Sequence, residues 1–289
     1  MKLQFTNGYL PHFDQISRIL QYINNHEGNK KIPRSKIVDS LGIPEKQVEN
    51  LTSMMVGFGL LKSRTSIITP LGEAIVTGDT YFESIESLWI IHYIVSSNPK
   101  WVVWYRIINE VIANYDQFGV EWTAEEFFDD LNDQFSERTI TQKLPKEVGA
   151  VYASYTRSEL AKLSLIDEVG KGLFKRDEPV DIPPPAFLYT LIKYRDSIAP
   201  GSSAMTVEEI TNGVASPGRV MFVNEYRVRN ILSKLHDHNL IRLELFGDLD
   251  QISFNNSITK DSVLDLIYGE QGTVDDIGHD AKQLKLDMD

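Results

Sequence analysis

Residues 224–254, NEYRVRNILSKLHDHNLIRLELFGDLDQISF, decide the fold of the segment around them. Their first half repeats apolar residues at helical spacing, with Val228, Leu232 and Leu235 on one face. Their second half alternates apolar and polar residues around Gly247, a pattern typical of a β-hairpin. A helix followed directly by a hairpin is the C-terminal half of a winged helix-turn-helix unit.

The residues before this stretch complete the unit. PPPAFLYTLIKYRDS at 183–197 predicts a helix that prolines introduce. Thr206 and Glu209 form a capping-box pattern at the start of a second, short helix. The glycines in 213–218 predict the turn that leads into the long helix. Residues 184–260 therefore predict one winged-helix subdomain.

Residues 12–79 repeat this order of elements without obvious residue identity. An apolar helical pattern begins at Phe13, a short helix ends at Gly42, and Pro44 suits the first turn of the next helix. LLKSRTSIITP at 60–70 predicts two short strands with a tight turn. This segment predicts a second winged-helix subdomain.

The remaining segments predict an arm, a connector and a tail. Residues 1–11 are polar with scattered aromatics, residues 80–183 carry apolar helices rich in Trp and Tyr, and residues 261–289 are acidic with little periodicity. The predicted fold class is mainly α with small β-hairpins, as two winged helix-turn-helix subdomains joined by a helical connector. The acidic end is interpreted as a C-terminal linker from which a further domain is missing.

Charge is unevenly distributed along the chain. Its 289 residues include no cysteine and have a net charge of −12, which as a bulk value argues against nucleic acid as a partner. The net charge is +2 over residues 1–79, −8 over 80–183, 0 over 184–260 and −6 over 261–289. The two predicted winged-helix segments are therefore neutral to basic, so DNA stays a possible partner. The lack of cysteine excludes disulfides and a thiol nucleophile, and no apolar run is long enough to span a bilayer.

The sequence shows no persuasive catalytic or metal site, so no catalytic residue and no metal ligand is predicted. It lacks a nucleophile elbow, a Walker loop and a dinucleotide fingerprint. His236 and His238 are two apart, so on a helix they point to different faces. Residues 167–171, DEVGK, have the wrong spacing for a nuclease site and are expected to follow a helix. The acidic residues in 125–130 predict a solvated helix face.

Outward polar residues of the two units predict a surface that binds DNA. Amide and basic side chains can hydrogen-bond to base edges, and basic or hydroxyl side chains can hold phosphates. A polar arm can extend this contact into a neighbouring groove. The predicted base-reading residues are Gln4, Asn7, Lys46, Gln47, Asn50, Asn224, Arg227 and Asn230. The predicted phosphate-contacting residues are Lys2, Arg34, Ser35, Lys36, Arg64, Arg219, Tyr226 and Lys234.

Two resemblances follow from this layout. The plan of arm, winged helix, connector, winged helix and acidic linker resembles the recognition part of BpuJI-like type IIS restriction endonucleases. Residues 68–97, ITPLGEAIVTGDTYFESIESLWIIHYIVSS, and 216–220, SPGRV, resemble the SspB-like proteins associated with bacterial DNA phosphorothioation. Members of that family usually begin with Phe-x-Gly-His-Glu-Thr-Phe, whereas this chain has QFTNGYLPHFDQ.

The sequence thus predicts a cytoplasmic protein that recognises a specific double-stranded DNA sequence. The first resemblance implies the target-recognition part of a restriction endonuclease, with a C-terminal nuclease and dimerisation domain, and the Mg²⁺ it would use, outside this chain. No cofactor is expected in this chain and no membrane partner is expected. Two alternatives stay open: a DNA-nicking or DNA-binding component of a phosphorothioation system, and a winged-helix scaffold for protein interactions.

Overall fold

The computed structural model describes residues 5–26, 32–62, 67–114, 121–124, 137–245 and 250–269. The described chain is mainly helical, with two small antiparallel sheets of three strands each. The helices are α1 (Phe13–Asn25), α2 (Arg34–Leu41), α3 (Glu45–Gly57), α4 (Pro70–Gly78), α5 (Ile85–Ser96), α6 (Val102–Arg106), α7 (Glu137–Gln142), α8 (Leu144–Arg157), α9 (Pro184–Ile198), α10 (Val207–Asn212), α11 (Pro217–Val220), α12 (Glu225–Asp237) and α13 (Lys260–Tyr268). The strands are β1 (Glu121–Thr123), β2 (Ile166–Gly170), β3 (Leu173–Arg176), β4 (Ala204–Thr206), β5 (Ile241–Glu244) and β6 (Gln251–Phe254).

The helices predicted in the N-terminal segment are present. The apolar residues of α1 and α3 that recur at helical spacing are buried, among them Ile16, Leu20, Leu51 and Met55. Gly42 ends α2 in the left-handed conformation that suits glycine. Of the predicted strands after α3, the structure shows one antiparallel bridge, between Leu61 and Ile68. The turn was predicted at Lys62–Thr65, and residues 63–66 lie outside the described residues.

The middle segment contains a sheet that the sequence interpretation missed. β1 and β2 pair antiparallel with β3, and Trp122 faces Phe174 in the register. Residues 167–171 follow helical residues as expected, but the prediction that they lie outside a strand pair is wrong, because Asp167 and Glu168 lie in β2, which pairs with β3. The helix α6 continues as a π-helical turn over Ile107–Val111. A π turn inserts one extra residue per turn and displaces backbone carbonyls from their usual partners.

The C-terminal segment has the predicted order of helix, short helix, helix and hairpin, with two additions. β4 precedes α10 and joins the hairpin, so the sheet has the order β4-β6-β5. The tail was predicted to begin at residue 261, but α13 continues to Tyr268 and buries Val263, Leu264 and Ile267. A capping box formed by Thr259 and Ser262 starts this helix.

The buried side chains of the three segments join into one hydrophobic cluster. The helix α5 is the most buried of the described helices, because ten of its twelve residues are buried, including Trp89. It packs on α9. The helix α13 packs on both α4 and α9 and so joins the N-terminal segment to the C-terminal segment. None of the described helices is long and apolar enough to cross a membrane.

A tight loop between α4 and α5 is fixed by one carboxylate. The side chain of Asp79 accepts hydrogen bonds from the backbone N–H of Glu83 at 2.8 Å and of Ser84 at 3.2 Å. The hydroxyl of Ser17 on α1 donates to the carbonyl of Thr80 at 2.6 Å in the same loop. Asp79 therefore sets the direction in which the most buried helix enters the core.

Replacing Asp79 with alanine is expected to lower the free energy of unfolding by about 1–2 kcal/mol, the usual effect of removing a capping side chain. Denaturant unfolding of the two proteins measures the difference. Asp39→Ala is the control, because Asp39 is exposed on α2. A loss no greater in Asp79→Ala than in the control would contradict this role.

Candidate nucleic-acid interface

The outward face of α12 carries three exposed side chains in a line. Tyr226, Asn230 and Lys234 are spaced four residues apart, which places them on one stripe of the helix. Tyr226 is 72% exposed, although large aromatic side chains are usually packed against the rest of the protein. Asn224 begins the helix by accepting a hydrogen bond from the N–H of Arg227. All four are among the residues predicted to bind DNA.

The arginines of α12 are turned toward the protein itself. Arg227 donates to the carbonyl of Pro179 at 3.2 Å and to the carboxylate of Asp181 at 3.2 Å. Arg229 forms ion pairs with Glu225 and Asp250. The guanidinium of Arg227 thus holds the segment before α9 against α12, and its contact with a base stays a prediction.

Arg219 is partly buried and binds to the backbone of the middle segment. Its Nε and Nη2 atoms donate to the carbonyl of Asn109 at 3.1 and 2.6 Å. Asn109 belongs to the π-helical turn, so the arginine gives a hydrogen-bond partner to a carbonyl of that turn. Arg219 thus links α11 to the middle segment, and its phosphate contact stays a prediction.

The charged side chains on the face of α3 form ion pairs with one another and with Arg34 at the start of α2. Lys46 pairs with Glu49 at 2.9 Å, and Arg34 lies 4.0 Å from Glu45 and 3.8 Å from Glu49. The amide of Gln47 donates to Gln15 at 2.6 Å. Of the residues predicted in this unit, Ser35 and Lys36 are exposed at the start of α2.

Asn50 does not face outward as predicted, because only 1% of it is exposed. Its Oδ1 atom accepts a hydrogen bond from the amide of Asn7 at 2.9 Å. The structure thus joins two predicted base-reading residues to each other, inside the protein. Lys2, Gln4 and Arg64, the other residues predicted in the arm and the first unit, lie outside the described residues.

The described part of the arm is fixed by a buried carboxylate that the sequence interpretation did not single out. Glu147 on α8 accepts hydrogen bonds from the backbone N–H of Phe5 at 2.6 Å, of Thr6 at 3.0 Å and of Asn7 at 2.7 Å. It also accepts one from the hydroxyl of Thr6 at 2.5 Å. Burial raises the pKa of Glu147, and these hydrogen bonds act in the opposite direction. Residues 5–7 form an anchored loop and differ in this from the free arm that was predicted.

The two carboxylates of the 167–171 stretch, Asp167 and Glu168, form ion pairs with basic side chains. Asp167 lies 3.5 Å from the ammonium of Lys175, and Glu168 lies 2.6 Å from the guanidinium of Arg157. The hydrogen bond from Arg157 lowers the pKa of Glu168. Within the described ranges, no three His, Asp or Glu side chains are placed to hold one metal ion. The acidic residues 125–130 lie outside those ranges.

Comparison with solved structures gives two similar chains. "Magnesium ion-bound SspB crystal structure" has a TM-score of 0.72 and 15% sequence identity, and the match covers 98% of this chain and 95% of the other. "SspB crystal structure" has the same score and identity, with 98% and 92% of the two chains covered. At this identity the similarity concerns the fold. It supports the SspB-like resemblance and gives no support to the restriction-endonuclease one.

Comparison of sequences identifies a family for this chain. No curated protein matches the chain. Residues 16–268 match the family described as "Protein of unknown function (DUF4007)". This match begins within α1 and ends with α13, so it includes the helices from α2 onward and all the described strands. The chain belongs to the DUF4007 family.

Proposed function

We propose that this protein is a DNA-binding component of a bacterial phosphorothioation system of the SspB kind. The support at the level of the whole chain is the shared fold, which extends over 98% of this chain and 95% of an SspB chain. The resemblance of residues 68–97 to SspB-like proteins agrees with it. The restriction-endonuclease interpretation has no comparable support.

The C-terminal unit is interpreted as a winged helix-turn-helix with α12 as its recognition helix. The order α9, β4, α10, α11, α12 and then the β5–β6 hairpin agrees with this arrangement. The N-terminal unit is interpreted in the same way, with residues 80–183 as the connector between the two. In such a unit, the N-terminal turns of the recognition helix meet base edges in the major groove.

One observation carries the proposal: the stripe of Tyr226, Asn230 and Lys234 on α12 is exposed and is not consumed by intramolecular pairing. Among the described residues, no carboxylate forms an ion pair with Lys234. The corresponding region of the first unit differs, because Lys46 is paired with Glu49 and Arg34 with Glu45. We therefore assign the main DNA contact to α12, with Lys234 on phosphate and Asn230 on a base edge.

A magnesium-dependent nicking reaction is not assigned. One of the similar structures holds a magnesium ion. The described residues of this chain bring together no three-carboxylate or histidine cluster that fits such an ion. Incubation of supercoiled plasmid with Mg²⁺ tests for nicked product separately from binding.

Binding to a labelled duplex pool, measured over a range of salt concentrations, tests the proposal. The variant Tyr226→Ala/Asn230→Ala/Lys234→Gln is expected to bind roughly tenfold more weakly, because it loses a phosphate contact and a base contact. The single variant Lys234→Gln should reduce the slope of log affinity against log salt by about 1, the contribution of one phosphate contact.

Lys46→Gln is the matched control, because it removes a lysine from α3 that is already paired with Glu49. Its affinity is expected to stay close to that of the unmodified protein. Equal losses in Lys46→Gln and in the α12 variant would place the contact elsewhere. An affinity that does not change with salt would overturn DNA binding itself.

A further inference from the structure

A polar pocket of about 300 Å³ lies where the end of α9 meets the start of α13. Arg195, Asp196 and Lys260 line one part of it, and Ile192 and Ile258 supply apolar surface. Volumes from roughly 300 Å³ upward are typical of small-molecule sites. The pocket therefore has room for a small ligand with one charged and one apolar part.

Two cations flank the single carboxylate of this pocket. The ammonium of Lys260 lies 2.7 Å from one oxygen of Asp196, and the guanidinium of Arg195 lies 2.8 Å from the other. The carbon at the centre of that guanidinium lies 4.6 Å from the centroid of the Phe254 ring, which fixes its position. Partial burial acts to raise the pKa of Asp196, but hydrogen bonds from Lys260 and Arg195 hold it below its usual value.

A third cation, Lys193, increases the local positive charge. Burial lowers the pKa of Lys193, and repulsion from Lys260 lowers it further, whereas Asp196 acts to raise it. Among the described residues, no carboxylate forms an ion pair with Lys193. Two cations, Arg195 and Lys260, thus contact one carboxylate, and Lys193 adds positive charge to the same region of a chain whose net charge is −12.

The cations keep donors that Asp196 does not use. An ammonium has three N–H donors and a guanidinium has five, so Lys260 and Arg195 can bind a second anion beside the carboxylate. The amide of Asn256, on the same pocket wall, is exposed. A tetrahedral anion with several acceptor oxygens matches this set of converging donors.

We propose that this pocket binds a phosphate-bearing ligand of mononucleotide size, with its phosphate held by Arg195 and Lys260. The apolar surface of Ile192 and Ile258 contacts the rest of the ligand. The phosphate belongs to a free nucleotide or to the end of a DNA strand. This site is separate from the α12 stripe, so it does not depend on the proposed function.

Calorimetric titration of the full chain tests the pocket with five probes. Inorganic phosphate and adenosine 5′-monophosphate are expected to bind, and adenosine, which lacks the phosphate, is expected not to bind. Duplexes with and without a 5′-phosphate form the other arm, in which a preference for the phosphorylated end identifies DNA as the source. Failure of both inorganic phosphate and the monophosphate to bind at millimolar concentration overturns the proposal, because a duplex can also bind through α12.

Two variants with opposite expected effects separate a binding role from a structural one. Lys260→Gln is expected to weaken binding of the monophosphate about tenfold, because it removes a charge-assisted hydrogen bond. Asp196→Asn is expected to tighten binding, because it removes the competing negative charge. Lys171→Gln, at an exposed turn, and the α12 triple variant are the controls and should leave the affinity unchanged. Weaker binding in Asp196→Asn would contradict the assignment.

Discussion

Replacement of His92 by alanine is expected to lower the free energy of unfolding by about 4 kcal/mol, a value typical of a large cavity that also leaves buried polar groups without partners. His92 lies on α5 and is fully buried. Its Nε2 atom lies 2.9 Å from the carbonyl of Val220, and its Nδ1 atom lies 2.6 Å from the hydroxyl of Tyr155. One side chain therefore joins α5 to α8 and α11, three helices from separate parts of the sequence.

The hydrogen bonds of this cluster fix the proton positions. A carbonyl only accepts, so the Nε2 atom of His92 carries the proton and donates to Val220. The Nδ1 atom then accepts from the hydroxyl of Tyr155, whose oxygen accepts from the indole N–H of Trp104 at 2.9 Å. Alanine at position 92 would leave the Tyr155 hydroxyl and the Val220 carbonyl without these partners.

Stability should also depend on pH through His92. Burial lowers the pKa of His92 from 6.5 to about 4, and the hydrogen bond to Val220 partly opposes this. Between these two values the unfolded chain binds more protons at this side chain than the folded protein does. The contribution of neutral His92 is therefore complete above pH 6.5 and is lost as the pH falls toward 4. Consequently, the difference between the unmodified protein and His92→Ala should shrink over that range.

Denaturant unfolding at pH 7.5 and pH 4.5 measures both effects. His236→Ala is the matched control, because His236 is exposed on α12 and its removal should change stability by no more than about 0.5 kcal/mol. A loss in His92→Ala no larger than in His236→Ala would show that the cluster is not needed for stability. A difference that is constant between the two pH values would contradict the lowered pKa of His92.

Local patterns predicted α1, α3, α9 and α12 correctly, because one face of a helix is encoded by residues three and four apart. The buried faces of α1, α3, α9 and α12 follow directly from that spacing. The hairpin of β5 and β6 was also predictable, since its strands are neighbours in the sequence. By contrast, the β1–β3 pair joins residues about fifty positions apart, and a three-residue strand leaves no periodic pattern to detect.

Side-chain roles were harder to predict, because a polar residue in a helix reveals its spacing but not its partner. Arg227 and Arg219 looked like DNA contacts by position, yet their partners are backbone carbonyls at residues 179 and 109. Asn50 looked exposed, and it is buried because Asn7, 43 residues earlier, packs against it. The exposed stripe of α12 was predictable in composition, but its distinction from α3 depends on ion pairs that only the structure shows.

Replacement of Glu147 by alanine is expected to release the N-terminal loop and to lower the free energy of unfolding by about 3 kcal/mol, because buried backbone donors lose their acceptor. Four hydrogen bonds converge on this carboxylate, from Phe5, Thr6 and Asn7. Phe5 is itself buried, and its ring centroid lies 4.5 Å from that of Trp101. Detachment of the loop would expose this ring and remove the amide of Asn7 from Asn50.

Hydrogen exchange at the amides of Phe5, Thr6 and Asn7 distinguishes release of the loop from a general loss of stability. In Glu147→Ala these amides should exchange faster than the rest of the core, since the loop opens while the helices stay folded. Glu147→Gln should fall between, because its amide oxygen accepts hydrogen bonds while its NH₂ group opposes the N–H donors. Glu83→Ala, which removes an exposed carboxylate, is the control. Unchanged exchange at the three amides would mean that packing of Phe5, with no need for the carboxylate, holds the loop in place.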